Sequence, residues 1–392
     1  MRLNLIIGVS AALGGIGILV TAGISEDRGG GVTSMGKIVV ERLAEDLDTP
    51  WAVEPLPDGG ALVTERDGRL WLFAPDFSRT AVRGVPDVFA RNQGGLLDVA
   101  LANDFETSGT IFLSYSEPAG GSRARTSMAS AVLDREAAQL TDLQVIFRQS
   151  PAVSGGRHFG SRIVEREDGT LFVTTGDRGA RPMAQDPDNH VGKVVRIARD
   201  GSVPADNPFA SGLTPAGETV LPEIWSIGHR NIQGAALDQD GRLWTLSHGA
   251  RGGDEVNLAE PGLNYGWPVI SYGVHYSGGT IGEGTSKTGL EQPKFYWDPS
   301  IAPSGMIVYG TASDGAAFPA WRGDLILGSL KFSYISRLDR DGTEILGEER
   351  LLEDAYGRIR DIVEAPDSTI WFLSVNDGAL YRMMPEDWQP GG

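Results

Sequence analysis

The chain has no cysteine in 392 residues, which removes disulfides, thiolate metal sites and cysteine catalysis together. It is also short of positive charge: 34 basic side chains against 52 acidic ones leave a net charge of -18. Such a surface repels phosphate backbones and anionic headgroups, so no nucleic-acid partner is expected. No Gly-x-Gly-x-x-Gly strand-to-helix fingerprint is present, which disfavours nicotinamide and flavin cofactors. Without Cys-x-x-Cys-His there is no attached haem. No stretch sustains apolar periodicity of 3.6 residues over three turns, so helices should be few. Beyond residue 22 no apolar run is long enough to span a membrane.

What is present starts with Arg2 and an almost unbroken apolar stretch from Leu3 to Ala22. A basic start, an apolar core and small residues after it read as an export signal, with cleavage after Ala22. A periplasmic or secreted protein follows; the same stretch is also long enough to remain as an N-terminal membrane anchor. A lipoprotein is excluded, because there is no cysteine to acylate. Residues 23–36 read as a linker, and residues 37–392 as one catalytic domain.

Glycine (53 residues) and proline (22) are abundant, which suits many short strands joined by turns. One pattern recurs: apolar strand, turn, apolar strand. It covers Trp51 to Phe73 around Pro57-Asp58-Gly59, Ser161 to Gly176 around Asp168-Gly169, and Asn231 to Ser247 around Asp240-Gly241. Trp321 to Leu338 and Ile359 to Ser374, the latter around Pro366-Asp367-Ser368, repeat it. Asp-Gly between strands signals a hairpin, since both residues tolerate the left-handed backbone of tight turns. Irregular hairpin repeats over about 350 residues predict an all-β chain, a β-propeller of six or seven blades. Composition alone also admits a pair of sandwiches.

In an antiparallel hairpin, the start of the first strand and the end of the second lie at one end. A turn centred between Glu167 and Asp168 sets His158 opposite Asp177. A carboxylate there would fix the imidazole tautomer and stabilise the imidazolium, as a general base requires. A solvated histidine beside a turn aspartate fits the same spacing. The hairpin centred between Gln239 and Asp240 likewise sets Arg230 opposite Gly249. Arg358 precedes its blade's first strand as His158 and Arg230 do, with Arg360 on the same face. Lys331 follows a strand as Asp177 and Gly249 do. Four cations at one mouth of an acidic propeller call for an anionic ligand; local pairing with carboxylates is the alternative.

An ordered set of segments carries a family resemblance: Gln93-Gly94-Gly95-Leu96-Leu97-Asp98, His158-Phe159-Gly160-Ser161-Arg162, Thr175-Gly176-Asp177 and Gly228-His229-Arg230-Asn231-Ile232-Gln233-Gly234. Gly253-Asp254-Glu255-Val256-Asn257, Asn264-Tyr265-Gly266-Trp267-Pro268, Gly328-Ser329-Leu330-Lys331 and Arg358-Ile359-Arg360-Asp361 continue it. The chain resembles the soluble glucose and aldose sugar dehydrogenases that use pyrroloquinoline quinone (PQQ). The resemblance runs from about Trp51 to Arg382 and implies a six-bladed propeller with PQQ across the channel mouth.

It implies that His158 is the base for the anomeric hydroxyl, that Asp177 orients it, and that Arg230 stabilises charge developing on the quinone. Lys331, Arg358 and Arg360 match residues that clamp the cofactor's carboxylates; Gln93 and Asn231 match neutral contacts to it. Gly249 and Ala250 fall where backbone carbonyls hold a calcium that polarises the quinone. Ala250 departs from the proline of close matches, with little effect expected on a main-chain ligand. Glu255 and Tyr265 match ligands of a second, structural calcium. Phe159 lines the pocket or packs in the core, and the segment Asp298 to Met306 helps wall the mouth. The compact form implies a monomer acting on aldoses of several kinds. No electron acceptor is implied. A propeller lactonase, holding calcium on side-chain carboxylates, is the rival enzyme, and a non-enzymatic binding module the third reading.

Overall fold

The computed structural model describes residues 32–34 and 36–389. The expected signal or anchor and most of the expected linker lie outside the described residues. Among the described residues no helix is long and apolar enough to cross a membrane.

Six antiparallel sheets, each built on four strands, follow one another along the chain as the blades of a propeller. Blade one holds Pro50–Pro55, Ala61–Glu65, Arg69–Phe73 and Arg79–Ala81. Blade two runs from Leu96–Leu101 through Thr110–Pro118 and Arg123–Asp134 to Gln139–Arg148. Blade three opens with Gly160–Glu165 and Thr170–Thr175, and blade four with Ile232–Leu237 and Leu243–Ser247. Blade five starts at Pro303–Val308 with Leu325–Ser329, and blade six at Ile359–Glu364 with Ile370–Ser374. Gly36–Ala44 closes the ring by pairing with Ala379–Pro385, so the first described long strand is the outer strand of the last blade. That pairing covers an edge that would otherwise offer unpaired amides to another chain.

The first strand of each blade packs against the first strands of its two neighbours around the axis. Most of the apolar core therefore lies in wedges between adjacent blades. Trp244, Leu246, Val308 and Leu327 fill the wedge between blades four and five. Val63, Phe73, Trp371 and Leu373 fill that between six and one. A strand covered on both faces reads as a continuous apolar run, as in Ile370-Trp371-Phe372-Leu373, rather than as alternation. Among the described residues helix is confined to the single turn Phe105–Ser108 and two 3-10 segments.

Every blade's first hairpin carries a one-residue register shift at the same height, beginning at Pro50, Leu96, Gly160, Ile232, Pro303 and Ile359. In blade three the register near the turn is centred on Asp168, since Ile163 faces Val173, but beyond the shift Gly160 faces Thr175. The bulge thus moves the pairing by half a step, to the centre expected between Glu167 and Asp168. Bulges re-aim side chains, and six at one height turn the residues beside them toward the axis.

Candidate active site

His158 lies two residues before the first strand of blade three in a left-handed backbone conformation, φ 56°. That conformation costs a non-glycine residue of order 1 kcal/mol or more and persists only where the surroundings impose it. Two contacts impose it. Its N–H donates to Gln93 Oε1 (2.6 Å). Its carbonyl lies so close to Gly176 that any Cβ there would collide with it.

The imidazole Nδ1 is 2.6 Å from Asp177 Oδ1. Asp177 is fully buried. Its Oδ1 also accepts the Gly179 N–H (2.7 Å), and its Oδ2 accepts the Trp267 indole N–H (2.8 Å). With a carboxylate on Nδ1, that nitrogen carries the hydrogen and Nε2 keeps its lone pair. Nε2 has no protein partner among the described residues. Burial pulls the His158 pKa below the usual imidazole value, and Arg230 adds to this; the Asp177 hydrogen bond opposes it. At Asp177 burial acts upward, but the His158 and Gly179 hydrogen bonds outweigh it and hold the carboxyl below its ordinary range. The pair is therefore neutral imidazole beside carboxylate at neutral pH. That is the resting state of a general base.

A cavity of about 210 Å³ begins one residue along the chain from His158: Phe159 and Gly160 line it, whereas His158, Asp177 and Arg230 do not. Gln93, Asn231, Arg358 and Arg360 all line it, as do Phe159, Arg66, Trp51 and His248. Arg360 is held by Gln233 Oε1 (2.8 Å) and the Trp51 ring face (4.3 Å). Burial and the nearby Arg162 push its pKa down to about 9. Arg358 donates to the Leu330 carbonyl (3.2 Å). Arg230, 5% exposed, donates to the His248 carbonyl (3.1 Å) and lies 5.2 Å from the Trp267 ring. Among the described residues none of Arg66, Arg230, Arg358 and Arg360 has a carboxylate within 4.0 Å. The Nε atoms of Arg230 and Arg360 are buried without a hydrogen-bond partner. Uncompensated buried cations are costly, and a polyanionic ligand would relieve that cost.

The remaining expected residues divide. Asn231 lines the cavity but spends its Oδ1 on the Gly160 N–H (3.1 Å), so it also braces the strand beneath His158. Phe159 does both jobs foreseen for it. It lines the cavity, and it packs in the core under the Arg178 guanidinium (3.5 Å). Lys331 reaches the same end, next to Leu330, but its Nζ rests 4.7 Å over the Phe332 ring instead of among the cavity-lining groups. Gly249 and Ala250 fall in a tight loop. A Cβ at Gly249 would collide with the carbonyl oxygens of Gly252 and Gly253, so main-chain oxygens crowd this loop. Glu255 and Tyr265 line a small cavity next to Gly249. Burial pushes Glu255 up to about 7. The Tyr265 phenol is committed to the Glu260 N–H (2.8 Å) and the Leu258 carbonyl, which leaves only its main chain for a cation. Among the described residues no cluster of three or more His, Asp or Glu side chains is arranged to hold a metal. A calcium here would depend on carbonyl oxygens, a donor set it accepts readily.

Comparison with known proteins now decides the family. The family model described as glucose/sorbosone dehydrogenase matches residues 47–382. The chain belongs to that family. It is 41% identical to the aldose sugar dehydrogenase YliI of Escherichia coli (strain K12) over 355 residues, covering 89% of this chain and 93% of that protein. The apo crystal structure of the soluble aldose sugar dehydrogenase from Escherichia coli superposes with a TM-score of 0.83 at 40% identity, over 89% of this chain and all of that one. A PQQ-bound aldose sugar dehydrogenase from Streptomyces coelicolor matches with a TM-score of 0.71 at 26% identity, covering 89% and 98%.

Three residues of this dehydrogenase's site escaped the sequence reading. Arg66 directly follows the second strand of blade one, a place equivalent to His248, and blade-by-blade alignment of strand ends would have found it. Trp267, 90 positions from Asp177, carries no local signal of its hydrogen bond. Arg162 is the third. It bridges Asp98 (2.8 Å) and Asp361 (2.6 Å) and donates to the Gln233 carbonyl (2.7 Å), forming the floor of the channel beneath Arg360.

Proposed function

We propose that this enzyme oxidises aldoses at the anomeric carbon to lactones, with PQQ and calcium as cofactors. The single observation that carries the reading is the set of arginines without carboxylate partners lining a cavity that Phe159, the chain neighbour of the poised base His158, also lines. A neutral sugar needs no such cations, whereas a ligand with three carboxylates does. When bound, PQQ supplies the two-electron acceptor for the substrate's hydride.

The protein's own contribution then follows from its geometry. His158 Nε2 removes the proton of the anomeric hydroxyl as the hydride leaves C1. Asp177 stabilises the resulting imidazolium, itself held by Gly179 and Trp267 so that the imidazole cannot rotate. Arg230 presents a fixed positive charge near the base, in a buried setting where charge acts at full strength. Arg358 and Arg360 would hold carboxylates of the cofactor, and Gln93, which accepts the His158 N–H, would tie the base loop to the cofactor site. Main-chain carbonyls of Gly249 and Ala250 would hold the calcium. Exported location and monomeric state complete the proposal, on the pattern of the first 22 residues and the compact chain. The test is His158→Ala. The variant should bind PQQ as the native protein does while losing about 10²–10⁴ in kcat. Normal turnover in that variant would refute the base assignment.

A further inference from the structure

Many arginines of the described residues are paired with carboxylates, but one group at the mouth is not. At the end away from the active site, Arg135, Arg166, Arg199, Arg242 and Arg340 each sit within 4.0 Å of a carboxylate. At the mouth, on the loops of blades two to four, Arg91, Arg123, Arg157, Arg181 and Arg251 have none among the described residues. All but Arg181 are exposed. The carboxylates of this sector do not balance them. Glu117 is shared by Arg125 and Arg148, and Asp186 faces the buried Lys193. Asp87, Asp188 and Asp298 are further exposed acids there, fewer than the arginines, and Glu283 is paired with Lys287. A chain of net charge -18 thus turns positive over one side of the mouth, on blades two to four, while Asp46, Asp48, Glu353 and Asp354 keep the other side acidic.

The same rim exposes apolar and aromatic surface: Tyr276 is 70% exposed and Val274 38%. Val274 pairs with Arg251, which sets this loop against the cationic rim. Exposed tyrosine beside unpaired arginine is the composition of a recognition surface. A neutral aldose has no use for five cations spread over three blades, and the cofactor's carboxylates already have Arg66, Arg358 and Arg360 in the cavity.

We propose that this rim is the docking face for an electron-carrier protein with an acidic surface. The inference rests on the dehydrogenase reading above. Each aldose oxidised to lactone releases two electrons and two protons; two molecules of a one-electron carrier take the electrons in turn, and the protons pass to water. The carrier must approach where the cavity opens, because transfer needs proximity, and one side of that opening carries the unpaired cations. The overall charge would repel an acidic partner at long range, and the local reversal steers it to one place.

The test uses the full chain reconstituted with PQQ and calcium, saturating glucose, and three acceptors: a neutral quinone, native cytochrome c (basic), and the same cytochrome with succinylated lysines (acidic). At low ionic strength, about 10 mM, the acidic cytochrome should react about 10-fold faster or more than the native one, and the difference should vanish as salt screens the rim. Arg91→Glu combined with Arg123→Glu should cut the acidic cytochrome's rate about 10-fold, leaving the glucose KM and quinone turnover unchanged. A faster native cytochrome at low salt, equal rates for the two, or a double variant with unchanged preference would overturn the docking face. In those cases quinone turnover would show that the dehydrogenase reading survives. Absence of turnover with all three acceptors would overturn both together.

Discussion

Replacing Asp177 by asparagine keeps the shape of the site and changes only what its two outer atoms can do. In the native protein Oδ1 receives two donors, from His158 and Gly179, and Oδ2 receives one, from Trp267. The amide can keep its oxygen toward His158 and Gly179, which sets its NH2 against the indole N–H. That leaves the indole N–H and the amide NH2 facing each other without an acceptor, worth about 1–3 kcal/mol of stability for each. The flipped amide would orphan two donors and force the wrong tautomer on His158, so the first arrangement prevails. Its catalytic cost is the loss of the charge that supports the imidazolium. Hydrogen bonds to charged groups contribute about 1.5–3 kcal/mol, so kcat should fall by about 10- to 100-fold. Asp177 raises the base's pKa, so its loss lowers that pKa further. The acid limb of kcat/KM therefore moves to lower pH as the plateau drops. Steady-state dye reduction across pH, with cofactor occupancy followed by absorbance, measures both. A variant with kcat within about twofold of native and an unmoved acid limb would refute the reasoning.

Arg358→Ala with Arg360→Ala should weaken PQQ uptake at least about 10-fold, since each removes a charged donor from the cavity; unchanged reconstitution in a fluorescence titration would show that both arginines are structural. Glu54, at the far end of the channel, has its pKa pushed up to about 8 by burial, with Asp98 and Asp361 adding to the rise. It folds protonated, so its contribution to stability is complete below pH 4.5 and disappears as pH rises through about 8. Glu54→Gln should then melt close to native at pH 5 and above it at pH 9; parallel melting curves at both pH values would contradict this.

The fold was legible because its grammar is local. Asp-Gly turns and flanking apolar runs marked the hairpins, and alternation of strand direction alone placed His158 and Asp177 at one end. What was not legible is the bulge beside Gly160: it has no separate sequence signal, and the pair was reached because the expected half-residue offset coincides with it. Arg358 and Arg360 were found through equivalent positions in successive blades, and the same rule applied to blade one leads to Arg66. The reach of Lys331 was not deducible, because a flexible side chain chooses among local partners and here lies on Phe332. The Arg162–Asp98–Asp361 floor joins three blades far apart in the chain, and such contacts follow from closure of the ring, not from any segment's pattern. The phenol of Tyr265 shows the same limit, since only the folded chain reveals that Glu260 and Leu258 already occupy it.

One measurement tests the cofactor and the reaction most directly: purified apo-protein mixed with PQQ and calcium, then with glucose and an artificial dye acceptor. Dye reduction that requires both additions, and that follows glucose concentration, is the predicted result. Failure to bind PQQ would contradict the central claim and leave a calcium-dependent hydrolase as the reading to pursue.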